Sequence, residues 1–132
     1  MDANFKDLSV LLVDDSKTIR RSAQAILDQF GCKLTLAIDG FDALCKIVEA
    51  DPDIVFMDIM MPRLDGFQTC ALIKNSGPYK NLPVVLLSAK DGIMEKARAE
   101  LVGAQRYITK PFCRDDLASA MRSLCVALDE AV

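Results

Sequence analysis

The chain has 132 residues, 52 % of them hydrophobic and 27 % charged, and a net charge of -3 at pH 7. This length and composition fit a folded globular protein and exclude a disordered chain. The acidic balance gives no electrostatic basis for binding nucleic acid or an anionic membrane. We therefore expect one domain spanning residues 1–132, with no output domain attached.

The cysteine pattern indicates a reducing compartment. There are five cysteines, at positions 32, 45, 70, 113 and 125, and no pair has CxxC spacing. An odd number without metal-type spacing predicts buried thiols, not a disulfide framework or a zinc site. No apolar run approaches the roughly 18 residues of a membrane span, and no signal peptide is evident. The expected location is the cytoplasm, without membrane insertion.

Taken in order, short apolar runs alternate with helical patterns. Strands are predicted at 8–13, 33–38, 54–57, 83–87 and 105–108. Helices are predicted to about residues 30, 50, 75, 102 and 128, beginning near 16, 40, 65, 91 and 114. Ser16 and Asp91 are the expected N-caps, and Gly31 and Gly103 the expected ends.

Helical spacing also predicts which helix faces are buried. The first helix should bury Ile19, Ala23, Ile26 and Phe30, and the second Phe41, Leu44, Cys45 and Val48; the last should bury Leu117, Met121, Leu124 and Leu128. Five strands alternating with five helices predict an α/β fold with a doubly wound, five-stranded parallel sheet and helices on both faces.

Polar side chains follow four of the five predicted strands. Asp14 and Asp15 follow the first, Asp58 the third, Ser88 the fourth and Lys110 the fifth. Ligands of open α/β sheets bind beyond the carboxyl ends of the strands, so we expect these groups to lie together. A buried acid such as Asp58 needs compensation.

Three carboxylates at one edge repel one another. At ~5 Å and an effective dielectric constant of ~20, each pair costs roughly 3 kcal/mol. A hard divalent cation relieves this repulsion, and oxygen-only ligation in a chain without histidine suits Mg²⁺. With Lys110 and Ser88 as donors, the set has the parts for phosphoryl transfer, in which Asp58 would be the nucleophile.

Each residue also has an ordinary structural interpretation. Asp14 and Asp15 could cap a helix. Ser88 could be a strand-end hydroxyl, and Lys110 a solvated charge. The functional interpretation depends on finding all of them together.

Five motifs and their spacing carry a family resemblance: Val13-Asp14-Asp15-Ser16, Asp58-Ile59-Met60-Met61-Pro62, Asp65-Gly66, Leu87-Ser88-Ala89 and Thr109-Lys110-Pro111. Through them the chain resembles the receiver domain of bacterial response regulators, which implies the flavodoxin-like (CheY-like) fold with strand order 2-1-3-4-5. The stretches 14–21, 37–44 and 62–74 resemble, more narrowly, the stand-alone receivers of chemotaxis-like systems that govern type IV pili and twitching motility.

The resemblance implies a phosphorelay function. Asp58 would accept a phosphoryl group from a CheA-like sensor histidine kinase. Asp15 and Asp58 would bind Mg²⁺, with Asp14 assisting and the Met60 backbone carbonyl as a further ligand. The protein would be a signalling switch that catalyses only its own phosphorylation and dephosphorylation.

The resemblance also implies how the signal leaves the site. Ser88 and Lys110 would contact the phosphoryl group, and the Lys110-Pro111 peptide would be cis. Ser88 and Tyr107 would form the switch, although an aromatic residue at this position is ordinarily packing. A downstream protein, not DNA, would bind the helix 4–strand 5–helix 5 face, which would carry Lys90, Glu95, Lys96, Arg98 and Arg106.

Two competing functions lack a residue pattern that they require, and a third stays open. A dehalogenase-type phosphatase needs a second acid two residues after the nucleophile, where this chain has Met60. A nucleotide-binding domain needs a glycine-rich loop after the first strand, which is missing. A phosphorylation-independent adaptor with the same fold stays open.

Overall fold

The computed structural model describes residues 5–90 and 92–130, leaving aside the side chains of 126–130. Strands and helices alternate along these residues, in the order β1 (Ser9–Val13), α1 (Lys17–Phe30), β2 (Lys33–Ala37), α2 (Gly40–Ala50), β3 (Ile54–Asp58), α3 (Gly66–Lys74), β4 (Val84–Ser88), α4 (Ile93–Leu101), β5 (Arg106–Thr109) and α5 (Arg114–Glu130). A 3-10 turn, Gly77–Tyr79, lies between α3 and β4. The predicted elements are confirmed, with ends that differ by one or two residues.

The strands form a single parallel sheet in the order β2-β1-β3-β4-β5. Their register pairs Val13 with Met57, and Asp58 with Leu87. The carboxyl ends of β1, β3 and β4 are therefore nearly level. β3 is the central strand, and all five of its residues are buried. The predicted fold class is confirmed.

The hydrophobic core has two layers, one on each side of the sheet. Ile54 and Phe56 of β3 pack with the buried residues of α1 and α5. Val55 and Met57 point to the other side, with the buried residues of α2, α3 and α4. Because successive strand residues alternate between faces, a strand covered on both sides must be apolar throughout.

Helix ends follow their capping residues. The Ser16 hydroxyl accepts a hydrogen bond from the Ile19 amide at 3.4 Å, and α1 ends at Gly31, with φ of 75°. Asp65 and Gln68 form a reciprocal capping box at the start of α3. The N-cap of α4 is Gly92, without a side-chain bond, and the predicted cap Asp91 lies outside the described residues.

The predicted face of α2 is wrong. The helix buries Gly40, Ala43 and Ile47, whereas Phe41 is 52 % and Val48 68 % exposed. Cys45 is also exposed and Leu44 is half-buried. The helix is apolar on two sides, and its small residues make the close contacts, because a Cβ added at Gly40 would overlap the Thr69 hydroxyl of α3.

The predicted buried faces of α1 and α5 need smaller corrections. In α1 the buried residues are Ala23, Leu27 and Phe30, while Ile19 and Ile26 are half-buried. In α5, Leu117 and Met121 are buried and Leu124 is half-buried, and the side chain of Leu128 lies outside the described residues.

The prediction that the cysteines are buried is wrong for two of them. None of the five is in a disulfide bond; Cys70 and Cys125 are buried, Cys32 is half-buried, and Cys45 and Cys113 are exposed. None of the described helices combines the length and hydropathy needed to cross a bilayer.

Candidate functional site

Two buried carboxylates lie at the carboxyl edge of the sheet. Asp58 is the last residue of β3, and Asp14 follows β1 directly. Backbone hydrogen bonds continue past the strand ends, from the Asp14 amide to the Ala37 carbonyl at 3.1 Å and from the Ile59 amide to the Leu87 carbonyl at 3.0 Å. Both carboxylates are therefore held by rigid backbone.

Lys110 joins the two acids. Its ammonium nitrogen lies 2.8 Å from Oδ1 of Asp58 and 3.0 Å from Oδ2 of Asp14. Its amide donates to the Ser88 carbonyl at 2.7 Å, and the Lys110-Pro111 peptide is cis, as the resemblance implies. The side chain is only 15 % exposed, so this ion pair is largely shielded from water.

Asp14 makes further contacts that hold the loop after β1. Its Oδ1 accepts a hydrogen bond from the Ser16 amide at 2.8 Å. The Arg20 guanidinium donates to its carbonyl oxygen at 2.7 Å. Sequence reasoning gave Arg20 no role; the only signal was a basic residue in the second turn of a helix that begins after two acids.

Three carboxylates converge at this edge. Asp14, Asp15 and Asp58 each offer an oxygen, and these oxygens lie within 4.8 Å of one another. Asp14 and Asp58 are buried, but Asp15 is exposed, so one side of the cluster faces solvent. An all-oxygen set open on one side fits a hard cation such as Mg²⁺, which keeps some of its water ligands.

Burial and neighbouring charges shift the pKa values of both Asp58 and Lys110. Burial raises the pKa of Asp58, and the neighbouring Asp14 charge raises it further, while the hydrogen bond from Lys110 only partly offsets this rise. For Lys110, burial lowers the pKa, but the hydrogen bonds to Asp58 and Asp14 outweigh it, and the net pKa is raised. Lys110 is thus a cation at neutral pH, hydrogen-bonded to Asp58 and Asp14.

The loop after β3 is fixed by a close approach of α3. The Gly66 amide donates to the Ile59 carbonyl at 2.9 Å. A Cβ added at Gly66 would lie 2.5 Å from the Asp58 carbonyl oxygen, so only glycine lets α3 begin there. Met60 lies in this loop with an exposed side chain, and its role as a carbonyl ligand stays a prediction.

Both predicted switch residues contact the same residue, Lys90. The buried Ser88 hydroxyl accepts a hydrogen bond from the Lys90 amide at 3.1 Å. The hydroxyl of the half-buried Tyr107 donates to the Lys90 carbonyl. The backbone of the loop after β4 is therefore held from β4 and from β5, a link that the sequence did not predict.

The residues expected to form one partner face are divided between two sides of α4. The Arg98 guanidinium lies 4.3 Å from the ring centroid of Phe67, on the side of α3. Arg106 of β5 donates instead to the Ser123 hydroxyl of α5 at 3.0 Å.

Comparisons with known proteins agree with this architecture. Residues 10–122 match the family model described as response regulator receiver domain. The chain is 52 % identical to Protein PilG of Pseudomonas aeruginosa over 123 residues, which cover 93 % of this chain and 91 % of PilG. It is 38 % identical to the response regulator MprA of Mycobacterium sp. (strain KMS) over 115 residues, 87 % of this chain but 49 % of MprA.

A solved structure has the same fold. The chemotaxis protein CheY4 of Vibrio cholerae matches with a TM-score of 0.84 at 30 % identity, covering 89 % of this chain and 98 % of CheY4. The chain therefore spans nearly the full length of PilG and CheY4, and about half the length of MprA.

Proposed function

Because the chain belongs to the family of response regulator receiver domains, which are signalling switches of two-component phosphorelays, we propose that Asp58 accepts a phosphoryl group from a histidine kinase. The observation that carries this proposal is the buried Asp58 carboxylate, 2.8 Å from the Lys110 ammonium and clustered with Asp14 and Asp15. An isolated acid at this position would have neither a fixed counterion nor converging ligands.

The proposed step is an in-line displacement. An Asp58 oxygen attacks phosphorus, the phosphorus–nitrogen bond of the phosphohistidine breaks, and its electron pair stays with the leaving imidazole. Lys110 and the Ser88 hydroxyl then bind the phosphoryl oxygens. The chemistry is limited to the domain's own phosphorylation and dephosphorylation, which makes it a switch and not an enzyme acting on other substrates.

The carboxylate cluster would hold Mg²⁺ through Asp15 and Asp58, with Asp14 and the Met60 carbonyl assisting. When bound, the ion neutralises charge on the carboxylates and on the transferring phosphoryl oxygens. The exposed position of Asp15 supports this assignment, since it leaves space for water and for the phosphoryl group.

The similarity to PilG supports a particular pathway. A chain 52 % identical to PilG over nearly its whole length supports a role in a chemotaxis-like system controlling type IV pili and twitching motility, with a CheA-like kinase as phosphodonor. Five cysteines without a disulfide bond support a cytoplasmic location. The output would be a changed affinity for a partner protein.

Labelling tests the acceptor. The full chain, mixed with radiolabelled acetyl phosphate and Mg²⁺, should take up label, whereas Asp58→Asn should take up none and EDTA should abolish uptake. Asp28→Asn, which removes an exposed acid on α1, is the control and should label normally. Comparable labelling of Asp58→Asn would contradict the proposal and favour the phosphorylation-independent adaptor.

A further inference from the structure

Arg20 binds backbone, not a carboxylate, at the edge of the acidic cluster. It is half-buried in the first turns of α1, and its guanidinium donates a hydrogen bond to the carbonyl oxygen of Asp14 at 2.7 Å. Long side chains of a helix lean toward its N-terminus, so Arg20 reaches back to the loop that precedes α1. Among the residues that the structure describes, its guanidinium forms no salt bridge.

The Asp14 carboxylate has other partners and does not need Arg20 as a counterion. Its Oδ2 accepts a hydrogen bond from the Lys110 ammonium at 3.0 Å, and its Oδ1 accepts one from the Ser16 amide at 2.8 Å. A guanidinium bound to a carboxylate of the cluster would compete with a metal cation for the same oxygen atoms. Because Arg20 binds a carbonyl oxygen instead, it holds the backbone and leaves the carboxylates to the cation.

Asp15 is held through its backbone. It is the exposed member of the cluster, and within residues 5–90 and 92–130 its carboxylate has no hydrogen bond or ion pair. Arg20 binds the carbonyl oxygen of the peptide before Asp15, and the Asp14 carboxylate binds the N–H of the peptide after it. Because each peptide group is planar, fixing both of them fixes the two backbone dihedral angles of Asp15. These angles decide where its carboxylate can reach.

We propose that Arg20 is a positioning residue for the divalent cation. Through the Asp14 carbonyl it orients the Asp14–Asp15 peptide, so that the Asp15 carboxylate meets those of Asp14 and Asp58. The proposal rests on the proposed function, in which this cluster holds Mg²⁺. It is supported by the convergence of the three carboxylates, whose oxygens lie within 4.8 Å of one another. Groups that orient metal ligands in this way typically contribute about 10- to 100-fold to metal affinity.

Positioning and charge predict opposite changes in metal affinity. A guanidinium is a cation, and a cation near the cluster repels Mg²⁺. If charge were the only effect of Arg20, its removal would make Mg²⁺ bind more tightly. If Arg20 positions Asp15, its removal loosens a ligand and makes Mg²⁺ bind more weakly. The direction of the change therefore separates the two roles.

Calorimetric titration of the full chain with Mg²⁺ alone measures this direction. Arg20→Met keeps an unbranched side chain but removes the donors, and its Kd for Mg²⁺ should rise about tenfold. Arg20→Lys keeps a cation and a donor, so its Kd should lie between those of Arg20→Met and the unaltered chain. The matched control is Arg21→Met, which removes an exposed cation of the same helix, and its Kd should change less than about twofold.

Amide exchange in EDTA reports on the loop without metal. The Ser16 amide, bound to the Asp14 carboxylate, should exchange roughly 2- to 10-fold faster in Arg20→Met, as expected when a loop loses one hydrogen bond. The amide of Phe56, in the buried centre of β3, should keep its exchange rate, because the fold itself is intact. A local change of this kind separates a lost orienting contact from general destabilisation.

Three results would overturn the role of Arg20 and leave the proposed function standing. They are an unchanged or lower Kd in Arg20→Met, equal changes of Kd in Arg20→Met and Arg21→Met, and exchange that is accelerated as much at Phe56 as at Ser16. Failure of the unaltered chain to bind Mg²⁺, or to take up label at Asp58, would instead overturn the proposed function.

Discussion

Lys110 is the counterion of two carboxylates that have almost no contact with water. Its ammonium hydrogen-bonds Asp58 and Asp14 at 2.8 and 3.0 Å. Removing one partner of a buried ion pair is costly because the remaining charge keeps its desolvation penalty. Lys110→Met should therefore lower the free energy of unfolding by about 3 kcal/mol in EDTA at pH 7, as measured by urea denaturation.

Lys46→Met is the control for this variant. Lys46 forms an i,i+4 pair with Asp42 at 3.3 Å, and both side chains are about 30 % exposed. Its loss should cost no more than about 0.5 kcal/mol. Equal effects of the two variants would mean that water screens the Lys110 pair as it screens a surface pair.

The raised pKa of Asp58 predicts an unusual pH dependence of the free energy of unfolding. Burial, with Lys110 only partly opposing it, raises the pKa of the folded carboxyl above its ordinary value of 3.8. The folded state then binds this proton more tightly than the unfolded state, so stability falls as pH rises from the unfolded pKa through the folded pKa. Ionised Asp58 is destabilising at pH 7.

Asp58→Asn should therefore raise the melting temperature in EDTA at pH 7, on the order of a few degrees, and the gain should vanish near pH 3.5. Lys110 keeps Asp14 as its partner in this variant. Glu49→Gln, at an exposed position of α2, should leave the melting temperature nearly unchanged at both pH values. A lower melting temperature for Asp58→Asn at pH 7 would mean that the charged Asp58–Lys110 pair is net stabilising.

At the scale of elements, α2 shows that the helical spacing of apolar residues does not by itself identify the buried face of a helix. Ile47 is buried against the sheet, while its neighbour Val48 is exposed. Ile47→Ala should cost about 3 kcal/mol in urea denaturation because it leaves a cavity. Val48→Ala should cost less than about 0.5 kcal/mol. The reverse order of these two costs would restore the face that helical spacing predicted.

The elements themselves were predictable because local signals agree. β1, β3 and β4 are short apolar runs. Ser16, Gly31 and Asp65 mark helix ends through their own hydrogen bonds or φ angle. The buried face of α2 was not predictable, because apolar residues lie on two of its sides. The choice depends on the close approach at Gly40, a contact with Thr69 that is distant in sequence.

At the scale of the whole molecule, the site was predictable for a topological reason. Parallel strands end at one edge, so the acid that follows β1 and the acid that ends β3 meet a lysine that follows β5. A groove of about 880 Å³ lies between α4 and the loop after β3. It was not predictable, because it depends on how α4 packs against that loop. Of its apolar lining residues, Met61 and Phe67 are buried in the core, whereas Met94 and Leu101 are exposed.

Substitution of Tyr107 tests whether the Lys90 backbone couples β4 to β5. Its hydroxyl binds the Lys90 carbonyl, and the Lys90 amide binds the Ser88 hydroxyl. If Ser88 turns toward a phosphoryl group, the Lys90 amide loses its acceptor, and the hydrogen bond from Tyr107 becomes the remaining side-chain hold on that backbone. The position of the Lys90 backbone then depends on the hydrogen bond from Tyr107.

Tyr107→Phe removes only this hydroxyl. It should leave phosphorylation of Asp58 intact while it loosens the backbone at Lys90. Labelling of Asp58 should stay within about twofold, while amide exchange in peptides containing Lys90 should become roughly 2- to 10-fold faster, as expected for one lost hydrogen bond. The matched control is Tyr79→Phe, at the other tyrosine of the chain, which should change none of these quantities. Unchanged amide exchange at Lys90 in Tyr107→Phe would show that the hydroxyl does not hold this backbone and that Tyr107 only packs against the core.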